Sequence, residues 1–149
     1  MSVAITTRSA RSALLCGTFS ALAVLPIVPH VMEDVAYDVP GRFGLSEQAF
    51  GWLVGAVLVV QLTAALGAVR EHRPGYVGVL VFAVTWVVLA LADHWQAFVA
   101  DEFRGGIASR AAVWGIVATQ LLASGFALSA IRLGRRRATF SRTGTFTSF

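Results

Sequence analysis

Residues 47–93 read EQAFGWLVGAVLVVQLTAALGAV, REHR and PGYVGVLVFAVTWVVLALAD: two long apolar runs joined by Arg70-Glu71-His72-Arg73. Each run is long enough to cross roughly 30 Å of hydrocarbon as a helix of about 20 residues. Neither carries Asp, Glu, Lys or Arg between its ends. A helix apolar on every face has no side to offer water, so it belongs in a core or a bilayer. The four polar residues between the runs allow only a tight turn, so the two helices form an antiparallel hairpin. Ser46 is suited to cap the first and Pro74 to sit in the first turn of the second.

Working outward, two further spans flank this hairpin. The sequence predicts spans over about 13–32, 47–69, 74–92 and 107–133. Pro26 and Pro29 should kink the outer end of the first, since each removes a backbone donor. That run also reads as a retained helix and not a cleaved signal peptide, because no small-x-small site follows it. Trp95, Phe98, Val99 and Phe103 share one helical face between spans three and four, which predicts a short helix lying in the membrane interface. Residues 1–134 thus read as one all-α, four-helix transmembrane bundle. Residues 135–149, opening on Arg135-Arg136-Arg137, read as a flexible basic cytoplasmic tail.

Composition agrees. Hydrophobic residues make up 56% of the 149 and charged residues 13%, with mean hydropathy +0.71. Soluble domains carry about a quarter charged residues. Charge is sorted by segment. Arg8, Arg11, Arg70, Arg73, Arg132, Arg135, Arg136, Arg137 and Arg142 lie on one side of the spans, against Arg42, Arg104 and Arg110 on the other. By the positive-inside rule the first group is cytoplasmic, so both termini are inside. The net charge of +4 therefore reflects topology and anionic lipid, not nucleic acid. The chain has no Lys and no Asn, a bias expected of a GC-rich prokaryotic genome, which puts it in a cytoplasmic (inner) membrane. A lone cysteine, Cys16, excludes an internal disulfide and a CxxC redox pair.

Lipid gives little reward for burying Leu, so small residues and interhelical hydrogen bonds should hold the helices together. The candidates are Gly51 and Gly55 in span two, and Ala111, Gly115 and Gly125 in span four. Gln61 and Gln120 lie deep enough to bond across helices. The same residues would serve a homo-oligomer or a larger membrane complex.

The outer side gathers His30, Glu33, Asp34, Asp93, His94, Arg104 and Arg110. His30, Glu33 and Asp34 share a helical face. Asp93 and His94 are about 100° apart on a helix, so only one should point at span one. Three readings of this cluster stand together. It fixes loops onto the spans by salt bridges; or it binds a divalent metal through His30, Asp34 and His94; or His30 and His94 hold a b-type haem. With no recognised catalytic motif, the chain reads first as a non-catalytic accessory or interaction subunit. The alternative is a membrane enzyme or a metal- or haem-binding protein with its site at the outer ends of helices one, three and four. Transport is disfavoured, because no span carries a charged residue at mid-depth.

Overall fold

The computed structural model describes residues 2–143, and the side chains of residues 7–135. These residues form seven helices: α1 Ser2–Leu22, α2 Val24–Ala36, α3 Val39–Arg42, α4 Glu47–Val69, α5 Arg73–Asp93, α6 Trp95–Ala100 and α7 Gly106–Thr143. Four stretches are long and apolar enough to cross a membrane: Thr7–Ala36, Glu47–Val69, Arg73–Asp93 and Gly106–Arg135.

The first stretch is bent. The helix breaks at Ala23, between α1 and α2, earlier than the prolines themselves. The cause is still proline: Pro26 cannot donate to the carbonyl four residues back, that of Leu22, and its ring crowds that carbonyl. Bonds from Ala23 N to Phe19 O (3.1 Å) and from Ile27 N to Ala23 O (3.2 Å) carry the chain across. The stretch therefore extends to Ala36, past the expected end at Met32.

The hairpin forms as its sequence demands. Ser46 accepts from Ala49 N at 3.2 Å and starts α4. Glu71, with φ +59°, turns the chain into α5. At Gly75 a Cβ would collide with the backbone of Gly67 and Ala68, so glycine sets how closely α4 and α5 approach. Gly17 does the same for α1 and α4, where a Cβ would lie 2.7 Å from Ala65 O.

Neighbouring long helices run in opposite directions. Along α1–α2 and α7, Ser12 meets Ser129, Phe19 stacks on Phe126 and Pro26 lies against Gly115. Two apolar clusters fill the interior. Ala13, Cys16, Ala68, Tyr76, Val79, Ala123 and Ala127 lie toward the arginine-rich end. Ala23, Ile27, Ala90, Val113 and Ile116 lie toward the histidine end. Alanine dominates the first, as expected where helices associate through small residues, while Ile and Val outnumber it in the second. Helix α4 is the least enclosed: only 17% of its apolar stretch is buried, against 33% for the first and last stretches, so most of its Leu and Val face outward.

Several packing expectations need correction. Gly51 and Gly55 are exposed, and among the described residues nothing lies within 4 Å of a Cβ at either. Gly125 is likewise open and Ala111 exposed; of these three α7 residues Gly115 is the one set against another helix, at Pro26. Of the two glutamines, Gln61 bonds across helices. Gln61 Nε2 donates to Ser20 O at 2.8 Å, and its Oε1 accepts from Trp86 Nε1 at 2.7 Å. Gln120 is fully buried, with neither amide atom hydrogen-bonded among the described residues. Helix α7 also runs past Leu133 to Thr143, so the first part of the expected tail is helical; residues 144–149 lie outside those described.

Candidate functional site

The histidine end is where α2 finishes, α5 finishes and α7 begins. His30 is carried on α2, one residue beyond Pro29. Asp34 follows one turn later on the same face. Asp93 is the last residue of α5, and His94 caps it with φ −104° and ψ 12°.

That cap geometry matters. An ideal helix would hold Asp93 and His94 about 100° apart. Because the helix ends between them, His94 is buried while Asp93 stays 39% exposed at the rim, yet both reach His30, where only one was expected to point. His94 Nε2 lies 3.4 Å from His30 Nε2 and 3.4 Å from Asp93 Oδ2. His30 Nε2 lies 3.7 Å from Asp34 Oδ2. Both imidazoles are buried, 6% exposed for His30 and 2% for His94.

These separations are long for hydrogen bonds, which cluster at about 2.7–3.2 Å. The two 3.4 Å separations match the spacing between donors that share a metal. Two nitrogens each about 2.0–2.1 Å from a tetrahedral ion lie roughly 3.3–3.4 Å apart. One ligand atom each from His30, Asp93 and His94 falls within 4.8 Å of the other two. Asp34 flanks this trio on the His30 side. The group that converges holds Asp93 in the place where the sequence reading put Asp34, whose Oδ2 stands 3.7 Å from His30 Nε2.

A b-type haem does not fit between these histidines. The imidazoles touch, with ring centroids 4.9 Å apart and planes at 53°. A macrocycle needs its two axial rings on opposite faces of a flat disc.

The surroundings orient the trio. Arg104 Nη2 lies 3.7 Å from Asp93 Oδ1, so Asp93 shows one oxygen to Arg104 and the other to His94. Tyr37 donates its hydroxyl to Arg104 O at 3.1 Å, and the guanidinium lies 6.0 Å from the Tyr37 ring centre. Phe103 stacks on His94 at 5.8 Å. Burial, reinforced by the neighbouring His30 ring, holds the His94 imidazole below its ordinary 6.5, which keeps it neutral and able to ligate. His30 Nδ1 is buried with no hydrogen-bond partner among the described residues.

The remaining candidates, Glu33 and Arg110, lie outside the trio. Glu33 Oε1 is buried beside Gly105, near the start of α7. A helix start favours a carboxylate. Arg110 forms an ion pair with Asp101 and lies over the Phe103 ring at 5.3 Å, two steps from His94. Helix α6 stops at Ala100 because Asp101 takes a left-handed conformation (φ +57°). Phe103 therefore leaves the expected helical face, yet still meets Phe98 edge-on at 5.3 Å. Sequence reading missed Tyr37, Phe103 as the lid on His94, and Trp86 as the partner of Gln61. Tyr37 gave one signal, an aromatic hydroxyl at the end of a span; the other two depend on loop paths.

A cavity of about 320 Å³ adjoins the trio. His30, Asp34 and Asp93 form one wall of it, and Phe43, Phe50 and Trp86 line others.

Comparisons with models of known families, with curated proteins and with solved structures return no match for this chain.

Proposed function

We propose that the chain is a four-pass protein of a prokaryotic cytoplasmic membrane, with both termini in the cytoplasm, that binds one divalent transition metal through His30, His94 and Asp93 at the outer face. The orientation rests on the distribution of arginine. The metal reading rests on one observation: two buried imidazole Nε2 atoms 3.4 Å apart, with a carboxylate oxygen at the same distance from one of them. Two imidazoles and a carboxylate suit zinc or ferrous iron. Three protein ligands leave a coordination position open, as in sites that act on a substrate. Arg104, fixed by Tyr37, would hold the Asp93 carboxylate in its ligating orientation.

Elemental analysis of the full-length protein in detergent, followed by titration with Zn²⁺ and with Co²⁺, tests this reading. One equivalent of metal is expected, with visible cobalt bands of a low-symmetry site. Affinity should fall at least tenfold in His30→Ala and in His94→Ala, and stay unchanged in Asp101→Asn. No stoichiometric metal in the folded wild-type protein overturns the proposal.

A second reading, an accessory subunit, is favoured by a different observation. The Gly51 and Gly55 face of α4 is open, and small residues let another helix approach closely. If that face meets a partner, Gly51→Leu changes the size of the assembly on a native gel; an unchanged size rejects it.

A further inference from the structure

The cavity beside the metal trio has a composition that specifies its occupant. Its polar wall is confined to one end, where His30, Asp34 and Asp93 stand. Thr85 adds a hydroxyl on α5. Elsewhere the lining is apolar. The indole N–H of Trp86 is already committed to Gln61, whose other end holds Ser20 O, so Trp86 offers the cavity its ring alone. Phe43 and Phe50 present two further rings. Leu53 of α4 and Leu89 of α5 line the cavity and are 55% and 53% exposed, so its mouth opens between these helices toward the surface the bilayer would cover. Helices α4 and α5 are pinned together at their other end, around Gly67 and Gly75, while α4 is open at Gly51 and Gly55.

We propose that this cavity binds a lipid-soluble hydroxylated aromatic ring, of the phenol or hydroquinone class, entering from the bilayer between Leu53 and Leu89 and presenting its hydroxyl to the His30–Asp34–Asp93 wall. Flat rings suit a pocket walled by three aromatics. An apolar cavity of about 150 Å³ holds benzene. The volume here, about 320 Å³, therefore admits a substituted aromatic ring. The head carries a hydroxyl, because the carboxylates of Asp34 and Asp93 in the polar wall call for a hydrogen-bond donor. It donates to Asp34 or Asp93, and its oxygen can take the open metal position. That last contact rests on the metal reading above; the ring pocket does not.

The test uses the full-length protein in lipid nanodiscs, in chelator-treated and Zn²⁺-loaded forms. The probe is a short-chain alkyl hydroquinone, and the control is the matched alkylbenzene without hydroxyls. Binding is followed by quenching of tryptophan fluorescence and by the shift in thermal unfolding. The hydroquinone is expected to bind at least tenfold more tightly than the alkylbenzene in both forms, and more tightly still with zinc. Leu53→Trp, a change at an exposed position in the mouth, should weaken binding at least tenfold while leaving metal stoichiometry intact. Trp86→Phe should remove most of the quenching. Equal binding of probe and control, or indifference to Leu53→Trp, overturns the proposal. Hydroquinone binding to a protein that takes up no metal sinks the metal reading and leaves the pocket standing.

Discussion

His94 acquires its role from being the residue that stops a helix. As the cap of α5 it swings out of helical register, so that it and Asp93 both face His30. Burial, helped by His30 and Arg104 and opposed by Asp93 and Asp34, lowers its proton affinity. The sign of the consequence follows from linkage. The unfolded chain takes up this proton near pH 6.5, whereas the folded chain resists it to lower pH. The contribution of His94 is thus complete above about pH 6.5 and shrinks as pH falls below it. Metal-free protein should lose thermal stability between about pH 7 and pH 5, and His94→Gln should flatten that dependence. An unchanged slope in the variant would show that another group is responsible. The sequence revealed that His30 and His94 sit at matching depths. It did not reveal Asp93 as the closer carboxylate, because ideal helical spacing turns it away.

The α4–α5 hairpin is the element most fully written in the sequence. Ser46, the Arg70–Arg73 turn and Pro74 mark its limits, and α4 spans Glu47–Val69 as expected. What the pattern did not distinguish is which glycines carry contact. Gly75 is buried against the backbone of Gly67 and Ala68, whereas Gly51 faces open space. Gly75→Ala should therefore force the helices apart and cost about 1–3 kcal/mol, the usual penalty of overpacking. Gly51→Ala should be neutral within about 0.5 kcal/mol. Unfolding in a mixed-micelle titration measures both, and equal effects would contradict the packing described. The two glycines look alike in one dimension because a GxxxG spacing records only that a face is smooth, not what lies on it. Gln61 makes the same point: its need for partners was legible, but their identity as Ser20 and Trp86 depends on helix rotation.

Across the whole molecule, the sorted arginines and the four apolar stretches make one topology testable. In a Cys16→Ala background, Gln96→Cys should react with a membrane-impermeant thiol reagent in intact cells. His72→Cys should react only after permeabilisation. The reverse pattern would invert the proposed orientation and move the histidine site to the cytoplasm. Span number, the limits of the two central spans, and the gathering of both span-edge histidines at one end follow from hydropathy and charge, which act residue by residue and survive in a linear string. Convergence is another matter. Whether His30 and His94 touch, whether Arg110 joins them or turns away to Asp101, and whether a cavity opens beside them depend on helix rotation, on a bend at Ala23 and on the left-handed turn at Asp101. Those are set by packing among residues far apart in the chain, and no local pattern encodes them.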